Sequence, residues 1–467
     1  MIRKIRESLP LTAAQRLLIY AWERCPKPQL LNIGTSIAVG GDVIAFDALK
    51  HAIHTAYGRC ECLRLRFRKN EDGTITQYLD PDDIGEIEFC ELSHWRPEHA
   101  KRELEMRTEK PFELYDSRQN QIVMISMPGG FKGFYLKVNH LVMDSSSIIA
   151  FIIDVIQIYC SMRYDYRFPK PMASYLETLR EDLSYEANSP QFQKDQAFWK
   201  DFVCRSEPIF TGITGPDRLL QAREETGNPN YRAGHIVGKK LEACHDELHL
   251  EKGPTAQLLN FCLSTRIPMV CLLLLGIRTF LSKMNGNQED ISIKSAVSRR
   301  GSVQKKKSGG TRIHSFPCRT IIPPETTFME ALHIIQRSQF EIFRHADFDP
   351  VAVMRMVSEQ YHLRPGDSYE CITLTYQPMA MRGAKDASAL DGIPYKTDWY
   401  SNGVAAQALY LTVMHNSIDE GMDFYYEYQP DYVTFKDLEY MYYYLCKIMF
   451  MGVENPDITI GEILRTV

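Results

Sequence analysis

A chain of 467 residues has room for about two to four domains and a large buried core. Its 44% hydrophobic and 24% charged residues are the proportions of a globular protein, which excludes long disordered tails, a collagen and a coiled coil. With 54 Lys and Arg against 59 Asp and Glu, a net charge of -5 gives no global attraction to nucleic acid or to an anionic membrane. In the opening MIRKIRESLPLTAAQRLL, Glu7, Ser8 and Pro10 stand where a signal peptide needs an apolar stretch, so a cytoplasmic protein is expected. The longest near-apolar run, Ile267 to Ile277, is broken by Pro268 and Gly276 and is too short to span a bilayer.

Helical and strand-like patterns alternate along the chain, which reads as an α/β protein. Residues 43–57 carry apolar side chains at helical spacing, and LRLRF at 63–67 alternates like a half-buried strand. QIVMISM (121–127) and FYLKV (134–138) flank PGGFKG and read as a hairpin with a Gly-rich turn. The run SSSIIAFIIDVIQIY follows NHLVMD. Its serines are N-cap candidates, and Ile148, Ile149, Ile152, Ile153 and Ile156 mark a buried helix face. From about 163 to 192 the composition turns polar, with Pro169, Pro171 and Pro190, which places a lobe boundary there. The expected organisation is an N-terminal lobe over 1–165, a linker over 166–192 and a C-terminal lobe over 193–467.

In the second lobe a buried helix is expected over 269–286 and a strand over 290–297. Residues 298–312 (SRRGSVQKKKSGGTR) read as a basic loop. Solvation explains Arg299, Arg300, Lys305, Lys306, Lys307 and Arg312; docking of an acidic protein or of phosphate is the alternative. An amphipathic helix over 328–345, strands at 371–376, 407–413 and 423–428, and a Tyr-rich helix near 434–451 complete the chain.

Twelve cysteines are scattered without a CxxC pair, and the CxC of Cys60 and Cys62 has no neighbour that completes a zinc site, so buried reduced thiols are expected. His245 and His249, with Glu247 and Glu251, read as a solvated face rather than a metal site. The segment Val138-Asn139-His140-Leu141-Val142-Met143-Asp144-Ser145-Ser146-Ser147 is the informative one. It sets a His at a strand end and an Asp four residues on, just before a helix whose first N–H groups lack intrahelical acceptors. Alone HxxxD is a weak signal, and His345 to Asp349 repeats it.

Its surroundings strengthen it. Thr12-Ala13-Ala14-Gln15 followed by Tyr20, then Arg59 through Phe67, Pro111-Phe112-Glu113-Leu114, residues 138–147, Phe198-Trp199, Gly310 through Arg319, and His345-Ala346-Asp347-Phe348 stand in one order. That order resembles the motifs of nonribosomal peptide synthetase condensation domains, members of the chloramphenicol acetyltransferase-like superfamily. The resemblance implies two chloramphenicol acetyltransferase-like lobes, each a mixed β-sheet with flanking helices, and a substrate tunnel between them. It also implies an acyltransferase that forms an amide from a thioester on a carrier protein's phosphopantetheine and an amine acceptor.

In that family His140 matches the catalytic His, which accepts the ammonium proton or orients the amine. Asp144 is expected to pair with an arginine and hold the loop, and Arg64 is the partner suggested by its place in the motif. The N–H groups of Ser145 and Ser146 would face the oxyanion, and Tyr376 is a tunnel candidate on a late strand. Asn139 stands for the family's first His and Ser145 for its Gly, where a side chain narrows the tunnel or takes up a conformation Ser adopts poorly. No bound cofactor and no metal are implied. The partners implied are acyl or peptidyl carrier proteins in trans and a carrier-bound or free amine, without nucleic acid or membrane. The chain ends at IGEILRTV, where a condensation domain would end, and carries no adenylation or carrier motif, so a free-standing protein is expected. Two alternatives share the fold: a noncatalytic module that recruits carrier proteins or a tailoring enzyme, and a coenzyme A-dependent or ester-forming acyltransferase. A condensation-like epimerase ranks below both, since it normally keeps both histidines and adds a second-lobe Glu with no match here.

Overall fold

The computed structural model describes residues 7–25, 27–164, 166–187, 189–238, 240–378, 392–416 and 418–467. The chain divides into two compact units. The first comprises 1–189, 299–313 and 381–404; the second comprises 190–298, 314–380 and 405–467.

In the first unit a five-stranded sheet runs in the order Tyr395–Tyr400, Asn32–Val39, Phe131–Asn139, Asn120–Met127, Ile87–Glu91. All pairs are antiparallel except the last. The expected hairpin is present at 120–139, and Gly129 and Gly130 turn it at φ of 82° and 77°, a region open to glycine. Helix Pro97–Glu109 covers one face by setting Ala100 and Leu104 on Val123, Ile125 and Tyr135. Helix Phe46–Arg59 packs along helix Ser145–Arg163. Burial of each large apolar side chain there is worth roughly 1.5–3 kcal/mol.

Helix Ser145–Arg163 buries Ile148, Ile149, Phe151, Ile152, Val155 and Ile158, whereas Ile153 and Ile156 stay half-buried. The buried stripe therefore follows the 3.6-residue period one step away from the expected face. By length and a mean hydropathy of 1.6 this helix passes for a membrane span, yet 56% of it is buried within the fold, as in a core helix.

The second unit holds a six-stranded sheet in the order Ile313–Ile321, Asp290–Ser298, Ile372–Gln377, Leu409–His415, Met422–Tyr428, Cys244–Leu250. The second, third and fourth strands are parallel, and the last three antiparallel. Helices Met269–Met284, Phe328–Arg344 and Phe435–Glu454 pack together over one large core with Leu374, Leu411, Val413, Phe424 and Tyr426.

Two features differ from the expected organisation. The polar stretch at 166–192 contains helix Tyr175–Glu186, which buries Tyr175, Thr178, Leu179 and Asp182, so the break between units falls after Ser189. Residues 299–313 are solvated only in their middle, where Gly301, Ser302, Val303, Lys306 and Lys307 are exposed. They fold into the first unit with Arg299 and Arg312 buried, because carboxylates there receive their charges.

Candidate active site

The motif turn is held by groups from the start of the chain onward. Thr12 and Gln15 form a capping box at helix Ala13–Arg24, and buried Gln15 Nε2 donates to the Leu141 carbonyl at 3.1 Å. The carbonyls of Glu113 and Leu114 accept from Gln119 Nε2 at 2.8 and 3.2 Å. Gln119 Oε1 in turn accepts from Asn139 Nδ2 at 3.0 Å, while Asn139 Oδ1 accepts from the Leu141 N–H at 3.0 Å. Asn139 is buried, so its amide, able both to donate and to accept, ties the strand end to the turn without carrying a charge. The His140 N–H donates to the Leu31 carbonyl at 2.6 Å, and Leu141, Val142 and Met143 are buried. The backbone around His140 is thus fixed on both sides.

Asp144, and not a serine, is the N-cap of helix Ser145–Arg163, accepting from the Ser147 N–H at 3.0 Å. Its charge is met by Arg300 rather than Arg64. Arg300 Nη1 lies 2.8 Å from Asp144 Oδ2 and Nη2 2.8 Å from Oδ1, a bidentate fork. The Arg312 N–H adds a bond to Oδ2 at 2.9 Å, and Arg300 Nη2 also reaches Ser147 Oγ at 2.7 Å and the Gly310 carbonyl at 2.9 Å. Arg64 sits in the short 3-10 turn Glu61–Arg64, its Nε buried without a hydrogen-bond partner among the described residues. The fork comes from a segment 156 residues away, which local motif spacing does not reveal. Burial works to raise the Asp144 carboxyl's pKa, but the charge and hydrogen bonds of Arg300, with the N–H groups of Arg312 and Ser147, hold it below the usual carboxylate range.

A second carboxylate anchors the same segment. Asp182 receives Arg312 Nη1 at 2.7 Å, Lys305 Nζ at 2.9 Å and Arg299 Nη2 at 3.3 Å. Burial pushes its carboxyl up, and the three cations pull it below its ordinary value. Gly310, at φ of 82°, passes over the Tyr175 ring so closely that an added Cβ would sit 2.0 Å from it. Residues 299–313 are thus pinned at both ends, and they set Thr311 Oγ1 3.4 Å from His140 Nδ1.

His140 keeps some exposed surface, yet the protein crowding its ring lowers its pKa by desolvation, and the charge of Asp144 offsets this only in part. The imidazole is therefore neutral at pH 7 and able to accept a proton. Ser145 and Ser146 occupy the first two helical positions, partly exposed, where helix geometry supplies no i-4 carbonyl for their N–H groups. Ser145 does not have a positive φ, so its backbone suits a side chain.

The remaining predicted residues have structural surroundings. Tyr376 packs on the second unit's core, on the helix-covered face with Ile372 and Leu374, and its Oη lies 2.7 Å from His415 Nε2. Phe198 stacks on His345 at 4.0 Å, Trp199 Nε1 donates to the His345 carbonyl at 2.9 Å, and His345 Nδ1 meets Asp195 at 2.8 Å. These two motifs lock the second unit, and Asp349 caps helix Pro350–Tyr361. His249 lies on a strand, between Asp423 at 2.6 Å and Asp419 at 2.7 Å. Cys60 and Cys62 are buried with their sulfurs 3.4 Å apart. Among the described residues no group of His, Cys, Asp and Glu is arranged to hold a metal ion. Sequence reasoning placed Arg300 only in the basic run and did not single out Thr311, whose one signal in the sequence is the motif match at 310–319.

A profile of the condensation domain matches residues 5–457. The chain belongs to the condensation-domain family. It is 23% identical to a plipastatin synthase polypeptide of Bacillus subtilis (strain 168) over 98% of this chain and 17% of that protein. Surfactin synthase subunit 1 of the same organism is 23% identical over 73% of this chain and 9% of its own length. The condensation domain thus spans less than a fifth of these relatives. Its fold matches the first condensation domain of the calcium-dependent antibiotic synthetase with a TM-score of 0.78 at 18% identity, covering 98% of this chain and 99% of that one. The condensation domain from Monacolin K polyketide synthase matches with a TM-score of 0.79 at 14% identity, over 97% and 99% of the two chains. The family is one of amide-forming acyltransferases of nonribosomal peptide synthesis.

Proposed function

We propose that this condensation domain joins an acyl group, presented as a thioester on the phosphopantetheine of a carrier protein, to an amine that is carrier-bound or free. The observation that carries the reading is His140, a neutral imidazole on an immobilised backbone beside the N-terminus of helix Ser145–Arg163. The amine nitrogen attacks the thioester carbonyl carbon, and the oxygen takes up the negative charge. His140 accepts a proton from the nitrogen or orients it for attack. Collapse re-forms the carbonyl and expels the thiolate, which takes the proton, leaving an amide and a free thiol. The N–H groups of Ser145 and Ser146 are the groups suited to the oxyanion. Asp144, Arg300 and Thr311 position this turn. Carrier proteins acting in trans and a reducing, cytoplasmic setting fit the reading. A coenzyme A thioester offers the same donor chemistry, and a variant of the starter condensation domain of rhizomide synthetase has been solved with C8-CoA.

The test is amide formation followed by mass spectrometry, with carrier-bound and coenzyme A donors and a panel of amines. Wild type should form product and His140→Ala should not, with both melting alike. Product formation unchanged by His140→Ala would overturn the catalytic role. Carrier binding without product from any donor would instead support a recruitment module.

A further inference from the structure

The turn that joins strands Leu409–His415 and Met422–Tyr428 is built from its own polar groups. The Asn416 N–H donates to the Gly421 carbonyl at 3.0 Å, Asn416 Oδ1 accepts from the Ile418 N–H at 2.8 Å, and Asp419 Oδ1 accepts from the Gly421 N–H at 2.9 Å. Beside it runs the edge strand Cys244–Leu250, whose register sets His249 opposite Asp423. The imidazole fills the corner between strand and turn. Its Nδ1 lies 2.6 Å from Asp423 Oδ1, and its Nε2 lies 2.7 Å from Asp419 Oδ2. Gly421 passes so near that an added Cβ would sit 2.5 Å from His249 Cε1.

Each ring nitrogen therefore faces a carboxylate oxygen at hydrogen-bond distance, and a carboxylate only accepts. A neutral imidazole has one N–H and one lone pair, so one of the two contacts would set a lone pair against an anion. Only the imidazolium donates from both nitrogens. The two carboxylates differ in their surroundings. Asp423 is 4% exposed, and its Oδ2 accepts from Asn416 Nδ2 at 2.9 Å, whereas the Asp419 side chain is 48% exposed. Water can replace a lost donor on an exposed carboxylate but not on a buried one. A His249 that gives up its proton thus keeps Nδ1–H on Asp423 and lets go of Asp419.

The other titratable groups around this corner do not replace that bridge. Tyr442 of helix Phe435–Glu454, beside the Cys446 thiol, gives its hydroxyl to the His249 carbonyl at 2.8 Å, and Tyr425 Oη lies 3.4 Å from Asp423 Oδ2. Glu247 on the same strand and Glu251 before helix Lys252–Thr265 are exposed, as are Lys252 and Glu420, which pair at 2.7 Å.

We propose that His249 is a pH-sensitive clasp, an imidazolium that bridges Asp419 and Asp423 and holds the turn against the edge strand until loss of its proton frees the Asp419 arm. Desolvation works to lower the His249 pKa, but the hydrogen bonds and charges of Asp423 and Asp419 raise it above the ordinary value of about 6.5. With the folded value raised, the stabilisation is fully present below the unfolded value and is lost as pH rises through the folded one. The clasp is closed in mild acid and opens towards alkaline pH. The turn follows His415 directly, so the clasp also sets how firmly the strand end that meets Tyr376 is held.

Two measurements on the full chain test it. Histidine labelled with carbon-13 and nitrogen-15 is titrated by NMR, with His249→Gln assigning the resonance. Hydrogen exchange of the peptide spanning the turn is followed by mass spectrometry across the same pH range and corrected for intrinsic exchange. His249 should hold protons on both nitrogens at about pH 6.5 and titrate above it. Corrected exchange at the turn should then rise by up to about tenfold for each unit of that elevation. Asp419→Asn keeps an acceptor for the Gly421 N–H but offers an N–H to neutral His249, so the alkaline step should vanish, as it should in His249→Gln. Lys252→Met should leave the step in place. Circular dichroism melts verify folding. A His249 that titrates at or below about 6.5, a turn whose corrected exchange ignores pH, or a step that survives Asp419→Asn would each overturn the clasp.

Discussion

Replacing Arg300 by Met isolates what holds the motif turn. Asp144 is 1% exposed and takes both Nη groups of Arg300, so the substitution leaves a buried carboxylate with only the N–H groups of Arg312 and Ser147 and the Ser147 hydroxyl. Breaking one side of such a buried pair costs about 3–5 kcal/mol. For a unit of this size that is a melting shift of roughly 6 to 20 °C. The pH dependence gives the sharper reading. In wild type the folded carboxyl is depressed below its unfolded value near ~3.9, so its stabilisation is present above that pH and lost as pH falls through the folded pKa. In Arg300→Met, burial without a cation raises the folded value, a penalty present at neutral pH and relieved on acidification. The gap between the two proteins should therefore be widest near pH 7 and shrink towards pH 4, as followed by circular dichroism melts in matched buffers. Arg64→Met, which the motif reading would make equivalent, should cost less than about 1.5 kcal/mol. An Arg300→Met protein that melts like wild type, or a gap that does not change with pH, would refute this account.

Gly310→Ala combines a left-handed backbone with a Cβ placed 2.0 Å from the Tyr175 ring, so a loss of about 2–5 kcal/mol is expected in denaturant titration. Adding Tyr175→Leu should recover the steric part alone; a single variant as stable as wild type would show that the loop yields freely. Arg278 is buried, its Nη2 donates to the Glu289 carbonyl at 2.6 Å, its Nε and Nη1 lack partners among the described residues, and burial lowers its pKa to about 10. Arg278→Met should accordingly be neutral or stabilising by up to about 2 kcal/mol, and a clear loss in chemical denaturation would count against that. Because desolvation lowers the pKa of His140, the acid limb of kcat for amide formation should fall below the ordinary imidazole value of about 6.5, once the amine's own protonation is corrected for. A limb above 7 that survives His140→Gln would assign it to another group.

What was legible in the sequence was what depends on neighbours in the chain. The hairpin at 120–139, the helix after Asp144 and the core helix at 269–284 follow from apolar period and Gly-rich turns, signals written within a window of a dozen residues. The family's motifs point to His140 and Asp144 as candidates in the same way. The partner of Asp144 was not legible, because ion pairs are chosen by where the backbone brings charges and not by motif proximity. Arg64 is close in motif and Arg300 is close in space. The basic run at 299–312 misled for a related reason. Composition alone favours solvent for such a charged stretch, yet Asp144 caps helix Ser145–Arg163, Asp182 lies in helix Tyr175–Glu186, and together they pair with three of its arginines. Each segment seen alone reads as unrelated surface, and the basic run reads as one anchored loop once both carboxylates are placed. For this fold, function lies in pairings between distant segments, so the residues that position the chemistry are those whose partners lie farthest away in the chain.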